Sequence, residues 1–204
     1  APTQAADPVI IDVTALESDE TDVRKYTNTI TEGELKEMLY VYASDEFEGR
    51  NTGDPGQKKA AAYLVNYYKE LNVQPGNNGD YYQIVPNTFF RKGSGLNDSE
   101  NVLAFIKGSE KPEEVLVLSA HLDHVGMDAK GNVYNGADDD GSGTVALLEI
   151  AEAFKQAVKD GKGPKRSILF LHVTGEEKGL WGSNYFVKNA TIATENMAFM
   201  VNMD

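Results

Sequence analysis

The sequence of 204 residues contains no cysteine and only three histidines. Without thiols the chain can form neither disulfide bridges nor thiolate zinc sites, and a cysteine nucleophile is excluded. The absence of cysteine also fits an exported bacterial protein. We therefore expect a periplasmic or extracellular location.

Long apolar runs and an excess of positive charge are missing as well. No stretch approaches the roughly 18 consecutive apolar residues of a membrane-spanning helix, so we predict no such segment. Asp and Glu (32) outnumber Lys and Arg (19), which gives a net charge of −13. Because nucleic acids and anionic membranes are bound through Lys and Arg, this charge argues against both as partners. It suits solubility and cation binding.

The pattern predicts one α/β domain behind an acidic N-terminal extension. Residues 1–30 are weakly patterned and form the predicted extension, in which residues 9–11 could be an edge strand or a docking arm. Its first residues resemble a mature or trimmed terminus. From residue 31 onward, a capping box at Thr31 and Glu34 predicts a first helix. Asp54 as cap and Pro55 predict a second helix that runs to about residue 71.

The rest of the chain alternates predicted strands and helices. We predict two β segments joined by a hairpin-like loop, then three buried apolar strands with helices between them. The two β segments lie at residues 81–91 and 101–107, and the three strands lie at 115–118, 167–173 and 197–203. A helix is predicted at residues 143–158, and a short helix or a turn-rich segment at 180–189. This order is typical of an α/β sandwich, a mixed, mostly parallel twisted sheet flanked by helices.

Each of the three apolar strands ends just before side chains that can bind a metal ion. These are His121 and Asp123 after the first, Glu176 and Glu177 after the second, and Asp204 after the third. Asp139 lies in a loop that precedes a helix. Ligands of open α/β sheets gather at the carboxyl ends of the strands, so we expect these groups to meet there.

Imidazole and carboxylates without thiolate suit Zn²⁺, or less specifically Mn²⁺ or Co²⁺. We predict that Asp123 accepts the other ring N–H of His121 and so fixes its tautomer. The neighbours Glu176 and Glu177 diverge from one backbone, which favours Glu177 as ligand and Glu176 directed toward a bound water. Taken singly, each signal has a plainer explanation as a chance pair, a capping acid or a solvated surface. Their joint order after three strands favours the metal site.

The combined strings resemble the zinc aminopeptidases of the co-catalytic di-zinc exopeptidase clan, a family that also contains glutaminyl cyclases and some carboxypeptidases. The matching segments are residues 120–124, 136–143, 175–183 and 202–204, and residues 45–50 with the helix after Asp54 are similar to the family's N-terminal part. The resemblance covers roughly residues 31–204. It implies that this stretch is a zinc peptidase catalytic domain with a zinc exopeptidase-like sandwich fold.

Carried over to the matching positions, the resemblance implies two zinc ions. Asp139 would bridge them and be followed by an unusual peptide geometry. His121 and Asp204 would be terminal ligands of one ion, and Glu177 would bind the other.

The implied activity is hydrolysis of N-terminal residues from a peptide substrate. Two cations about 3.5–4 Å apart hold a water and lower its pKa from about 15.7 toward about 7. Glu176 would be the general base that takes the proton as the zinc-bridged hydroxide attacks, and then the acid that protonates the leaving amine. Asp123 would orient His121. Two other functions stay open: a glutaminyl cyclase-type acyltransferase, and a metal- or peptide-binding fragment without turnover.

One position of the family has no counterpart. The second zinc normally takes a histidine from a loop well beyond Asp204, where this chain ends. His172 lies in a predicted strand and is expected to be a core residue, and His124 is assigned to the surroundings of the site. We therefore expect a truncated chain with its C-terminal part missing, an incomplete second zinc site and an activity that is open. A related hypothesis is self-association through the incomplete sheet.

Overall fold

A six-stranded mixed sheet organises the computed structural model, which describes residues 20–204. The strands of the molecule are β1 (Gln74–Pro75), β2 (Tyr82–Val85), β3 (Ser99–Ile106), β4 (Lys111–His121), β5 (Gly126–Met127), β6 (Val133–Tyr134), β7 (Arg166–Val173) and β8 (Met197–Asn202). The helices are α1 (Glu20–Thr27), α2 (Glu32–Tyr42), α3 (Pro55–Glu70), α4 (Gly143–Lys159) and α5 (Trp181–Lys188). The sheet order is β1-β3-β7-β4-β8, with β2 also paired to β3, while β5 and β6 form a separate hairpin.

Strands β4, β7 and β8 are parallel to one another, and β1 and β2 run antiparallel to β3, which runs antiparallel to β7. The predicted mixed α/β sheet flanked by helices is thereby confirmed. The central strand β7 is buried along nearly its whole length, which explains its uniformly apolar sequence. Strand β8 lies at the sheet edge, where Phe199 and Met200 are exposed. Self-association through this edge stays a prediction.

Two strands differ from their predicted bounds by four or more residues at one end. β4 begins at Lys111, four residues before the predicted apolar run. Its first four residues are exposed or half-buried and lack the apolar run from which the strand is predicted. β2 ends at Val85, whereas the prediction ran to residue 91. The next residue, Pro86, has no N–H for the ladder, and a 3₁₀ turn follows at Asn87–Phe89.

The helix starts follow the sequence signals with one correction. Thr31 caps α2, since its Oγ1 accepts the Glu34 N–H at 3.2 Å. Asp54 occupies the capping position of α3, but its carboxylate accepts from Asn51 Nδ2 at 2.7 Å and makes no cap hydrogen bond. The predicted cap therefore holds the preceding loop to the helix start.

Within the predicted extension, residues 20–27 form α1, which packs on α4. Lys25 Nζ lies 2.5 Å from Asp160 Oδ2, an exposed ion pair that follows the end of α4. The edge strand or docking arm predicted at residues 9–11 lies outside the described residues. Among residues 20–204, no helix combines the length and the apolar character needed to cross a membrane.

The sheet carries a core on each face. Helices α2, α3 and α4 cover one face, with Tyr68, Leu148 and Phe170 among its fully buried side chains. Helix α5 covers the other through Phe186, which belongs to the same cluster as Leu171. Full burial of each such side chain contributes roughly 1.5–3 kcal/mol. These two layers hold the carboxyl ends of β4, β7 and β8 in fixed positions.

His172 is a core residue, as its position in a strand predicts. It is fully buried in β7, and its Nε2 lies 2.8 Å from Tyr68 Oη. Burial lowers the pKa of His172 to about 3. The ring therefore stays neutral in the folded protein at any pH near neutrality.

This burial should make the protein less stable in mild acid. Below pH 6.5 the unfolded chain takes up a proton on His172 that the folded chain takes up only near pH 3, so stability is lost as the pH falls through this window. Between pH 8 and pH 5 we expect a loss of about 2 kcal/mol from this residue. Urea unfolding of the wild type and His172→Gln at both pH values measures it. An equal loss in both proteins would contradict the assignment.

Candidate metal centre

The candidate site lies where the three parallel strands end. β4 ends at His121, β7 ends three residues before Glu176, and β8 ends two residues before Asp204. Because the strands are parallel neighbours, their carboxyl ends meet at one edge of the sheet. The structure thus brings together the side chains that the sequence placed after separate strands.

One group of potential ligands consists of His121, Asp139 and Asp204, whose ligand atoms all lie within 4.8 Å of one another. His121 Nε2 is 2.9 Å from Asp139 Oδ1 and 3.9 Å from Asp204 Oδ1. His121 is 2% exposed, while Asp139 is 60% exposed. The imidazole is therefore fixed in the fold, and the carboxylates face the open edge.

A second group consists of His124, Asp139 and Glu177, again with ligand atoms within 4.8 Å. His124 Nδ1 lies 2.6 Å from Glu177 Oε1, yet both atoms are buried and neither has a hydrogen-bond partner among residues 20–204. Buried polar atoms are normally satisfied, and a cation satisfies an imidazole nitrogen and a carboxylate oxygen together. The donors present therefore fit a bound metal ion. Asp139 belongs to both groups.

The loop before α4 shapes this arrangement. Residues Ala137–Ser142 form an irregular turn in which Asp139 and Asp140 have non-helical backbone angles, and the peptide bond between these two residues is cis. The unusual peptide that the resemblance implied after Asp139 is present. The buried Asp140 turns inward, where Oδ2 accepts the His121 N–H at 2.8 Å and Oδ1 accepts the Gly143 N–H at 3.0 Å. Asp139 and Asp140 thus point in different directions, one to the site and one to the backbone beneath it.

The contact between Asp123 and His121 differs from the predicted one. His121 Nδ1 lies 3.0 Å from the main-chain oxygen of Asp123 and 3.8 Å from its carboxylate. His121 is the last residue of β4, so beyond it the alternation of side chains along a strand no longer holds. The Asp123 carboxylate instead accepts from Thr52 Oγ1 at 2.5 Å and from the Glu176 N–H at 3.2 Å. Asp123 therefore holds the Glu176 loop as well as the imidazole.

Burial and charge shift the pKa values of these groups. Burial would lower the pKa of His121, but the carboxylates of Asp123, Asp140 and Glu176 outweigh it, and the pKa is raised. Burial also raises the pKa of Asp123 despite the Thr52 hydrogen bond. The pKa of Glu176 is raised by burial, against the opposing effect of His121. A raised carboxyl pKa suits a group that accepts and returns a proton near neutral pH.

Arg50 is a buried part of the site that the sequence did not reveal. Only 1% of it is exposed. Its Nε donates to the Leu122 carbonyl and its Nη1 to the Tyr42 carbonyl, both at 3.1 Å. Nη1 and Nη2 also donate to the carbonyls of Asn135 and Gly136 at 2.7 Å. One guanidinium thus joins the segment after β4 to the loop that carries Asp139.

Arg50 and Thr52 escaped sequence reasoning because both types are usually exposed. Residues 45–50 stand out in the sequence only by their family resemblance. No signal in the sequence marks Arg50, because its four partners are main-chain carbonyls, which every residue carries. His124 was assigned to the surroundings, whereas the structure places its Nδ1 beside Glu177.

Solved structures of other proteins share the fold of this chain. The LapA aminopeptidase of Legionella pneumophila matches 98% of this chain and 48% of its own with a TM-score of 0.64 at 20% identity. A glutaminyl cyclase of Porphyromonas gingivalis matches 85% of this chain and 60% of its own with a TM-score of 0.65, also at 20% identity. At such identities the similarity shows the fold alone, which is that of the zinc exopeptidases.

The family follows from the sequence. Residues 101–204 match the model of Peptidase family M28, and the chain belongs to this family. A probable zinc metalloprotease of Leptosphaeria maculans is 34% identical over 106 residues, which make up 51% of this chain and 23% of that protein. The chain therefore spans about a quarter of this relative and about half of the LapA structure. The resemblance predicted from the motifs is confirmed.

Proposed function

We propose that this chain is the metal-binding part of a zinc-dependent aminopeptidase that removes N-terminal residues from peptides. The observation that carries the proposal is that Asp139 belongs to two ligand groups at one sheet edge. His121 and Asp204 would hold one ion with it, and Glu177 would take part in holding the other. Membership of a peptidase family and the metalloprotease relatives support zinc and a peptide substrate.

Bound zinc would act as a Lewis acid on the peptide carbonyl and lower the pKa of an attacking water. Glu176 would take the proton from that water and return it to the departing amine. Its carboxyl group is suited to both steps, because burial raises its pKa and its main-chain N–H is held by the Asp123 carboxylate at 3.2 Å.

The side chains of the two adjacent glutamates lie in different parts of the site. Glu177 faces His124, whereas Glu176 lines a hollow of about 330 Å³ with His121 and Asp204. The rest of the hollow is mainly apolar, with Leu171 and Phe186 among its walls. This divergence supports the assignment of Glu177 to a metal ion and Glu176 to proton transfer.

Export to the periplasm or the extracellular space is part of the proposal and is supported by the lack of cysteine. Detection of the protein in the cytoplasmic fraction of its native host, and in no other fraction, would argue against export.

A paired assay with metal removal tests the activity. We expect the zinc-loaded protein to release the chromophore of an aminoacyl anilide and to leave a glutaminyl peptide uncyclised. A chelator should abolish the hydrolysis, and added zinc should restore it. Cyclisation of the glutaminyl peptide without anilide hydrolysis would identify an acyltransferase instead. Tight zinc binding without either reaction would identify a metal-binding fragment.

A further inference from the structure

We propose that His124 is a metal ligand and binds the second cation through its Nδ1, together with Glu177 and Asp139. The family resemblance assigns no role of this kind to the position, and the sequence alone placed His124 in the surroundings of the site. His124 can play this part only if the metal centre of the proposed function exists.

The distances around His124 suit a shared cation better than a hydrogen bond. Nδ1 and Glu177 Oε1 are 2.6 Å apart, but the contact lacks hydrogen-bond geometry, and both atoms remain without a partner among the described residues. Zinc bonds of about 2.0–2.2 Å in a tetrahedral arrangement separate ligand atoms by about 3.3 Å. The two atoms would therefore move apart by less than about 1 Å. A carboxylate oxygen of Asp139, within 4.8 Å, would move inward.

The surrounding backbone holds the His124 ring in the direction of the Glu177 carboxylate. The His124 N–H donates to the Arg50 carbonyl at 3.1 Å. On the other side the ring packs against Gly136, where a Cβ atom would lie only 2.5 Å from His124 Cγ. Gly136 also has a φ of +56°, a conformation that favours glycine. The ring is therefore held in place before any ion arrives.

The other two histidines do not compete for this role. His121 belongs to the first group through its Nε2. His172 also has a buried Nδ1 without a hydrogen-bond partner among the described residues, but it lies inside β7 and its other nitrogen contacts Tyr68. Its pKa is lowered by burial alone, with no carboxylate contributing. His124 is thus the histidine that faces the Glu177 carboxylate.

Imidazole NMR on the metal-free protein with ¹⁵N-labelled histidine tests the proposal directly, because three histidines give three ring patterns. On addition of two equivalents of zinc sulfate, His121 Nε2 and His124 Nδ1 should take the shifts of metal-bound nitrogen, and His172 should not move. If His121 responds while His124 Nδ1 keeps a proton, His124 is not a ligand and the metal centre stands. If neither responds, both this proposal and the proposed function fail.

Zinc stoichiometry by equilibrium dialysis gives an independent readout. We expect His124→Asn to weaken the second ion by more than about 100-fold, beyond the 10–100-fold typical of a residue that only orients a ligand. The first ion should stay, which also shows that the variant is folded. Asp138→Asn is the matched control, since Asp138 is exposed in the loop that carries Asp139 and belongs to neither ligand group. A loss of 100-fold or less for His124→Asn, or the same loss in the control, overturns the proposal.

Discussion

In the full-length protein, replacing Glu176 by glutamine should lower kcat by about 10²–10⁴ while leaving the zinc content unchanged. Glutamine has the same shape but cannot accept the proton of the attacking water. Glu176 stands outside both groups of potential ligands, so the ions should bind as before. The main-chain N–H that the Asp123 carboxylate holds at 3.2 Å is also retained. Anilide hydrolysis and atomic absorption on the same preparation measure the two effects.

Two further variants show whether the effect is specific to Glu176. Glu177→Gln should lose an ion as well as activity, because the Glu177 carboxylate belongs to the second ligand group. Glu195→Gln should change neither, since Glu195 is exposed in the segment before β8. Turnover of Glu176→Gln at the wild-type rate would remove Glu176 from its proposed role. Loss of zinc in that variant would make Glu176 a ligand instead.

The free energy of unfolding should fall by at least about 2 kcal/mol in Arg50→Met, because each buried group left without its partner costs about 1–3 kcal/mol. The main-chain carbonyls of Tyr42 and Asn135 lose their donor. The carbonyls of Leu122 and Gly136 keep a second donor each, from Tyr42 Oη and from the Gly141 N–H. Such a loss is a large part of the 5–15 kcal/mol that stabilises a typical domain. Urea unfolding of the metal-free protein measures it.

The Arg50→Lys variant tests whether the charge or the shape of the Arg50 side chain stabilises the fold. Lysine keeps the positive charge, but one ammonium cannot span carbonyls on both sides of a planar guanidinium. We expect the lysine variant to lose more than half of the stability that the methionine variant loses. Arg91→Met, at an exposed arginine, should change stability by no more than about 0.5 kcal/mol. A lysine variant as stable as the wild type would show that charge alone matters.

The sequence predicted the fold because its signals are local and repeated. The apolar runs before His121 and Glu176 mark the buried strands β4 and β7, and turn residues separate them from helices. The parallel arrangement then places the strand ends together without further information. The candidate ligands could be named for the same reason.

Contacts made outside regular elements could not be predicted in this way. Beyond His121 the chain leaves the strand, so alternation no longer tells which atom of Asp123 faces the ring. His124 lies in the same irregular segment, so the sequence did not predict that its side chain faces Glu177. Arg50 ends a 3₁₀ segment and Thr52 lies in the turn after it. Only the folded structure shows that these two polar residues are buried, Arg50 against carbonyls and Thr52 against Asp123.

The candidate ligands come from four segments that are far apart in the chain, at His121, Asp139, Glu177 and Asp204. Unfolding disperses them, so the unfolded chain would bind zinc weakly, and the binding free energy would be coupled to folding of the whole sheet. A ligand at 100 times its Kd adds about 2.7 kcal/mol to the stability of a protein that binds it only when folded. The thermal midpoint would then rise with the concentration of free zinc. Tight zinc binding would also report that the four segments have folded together.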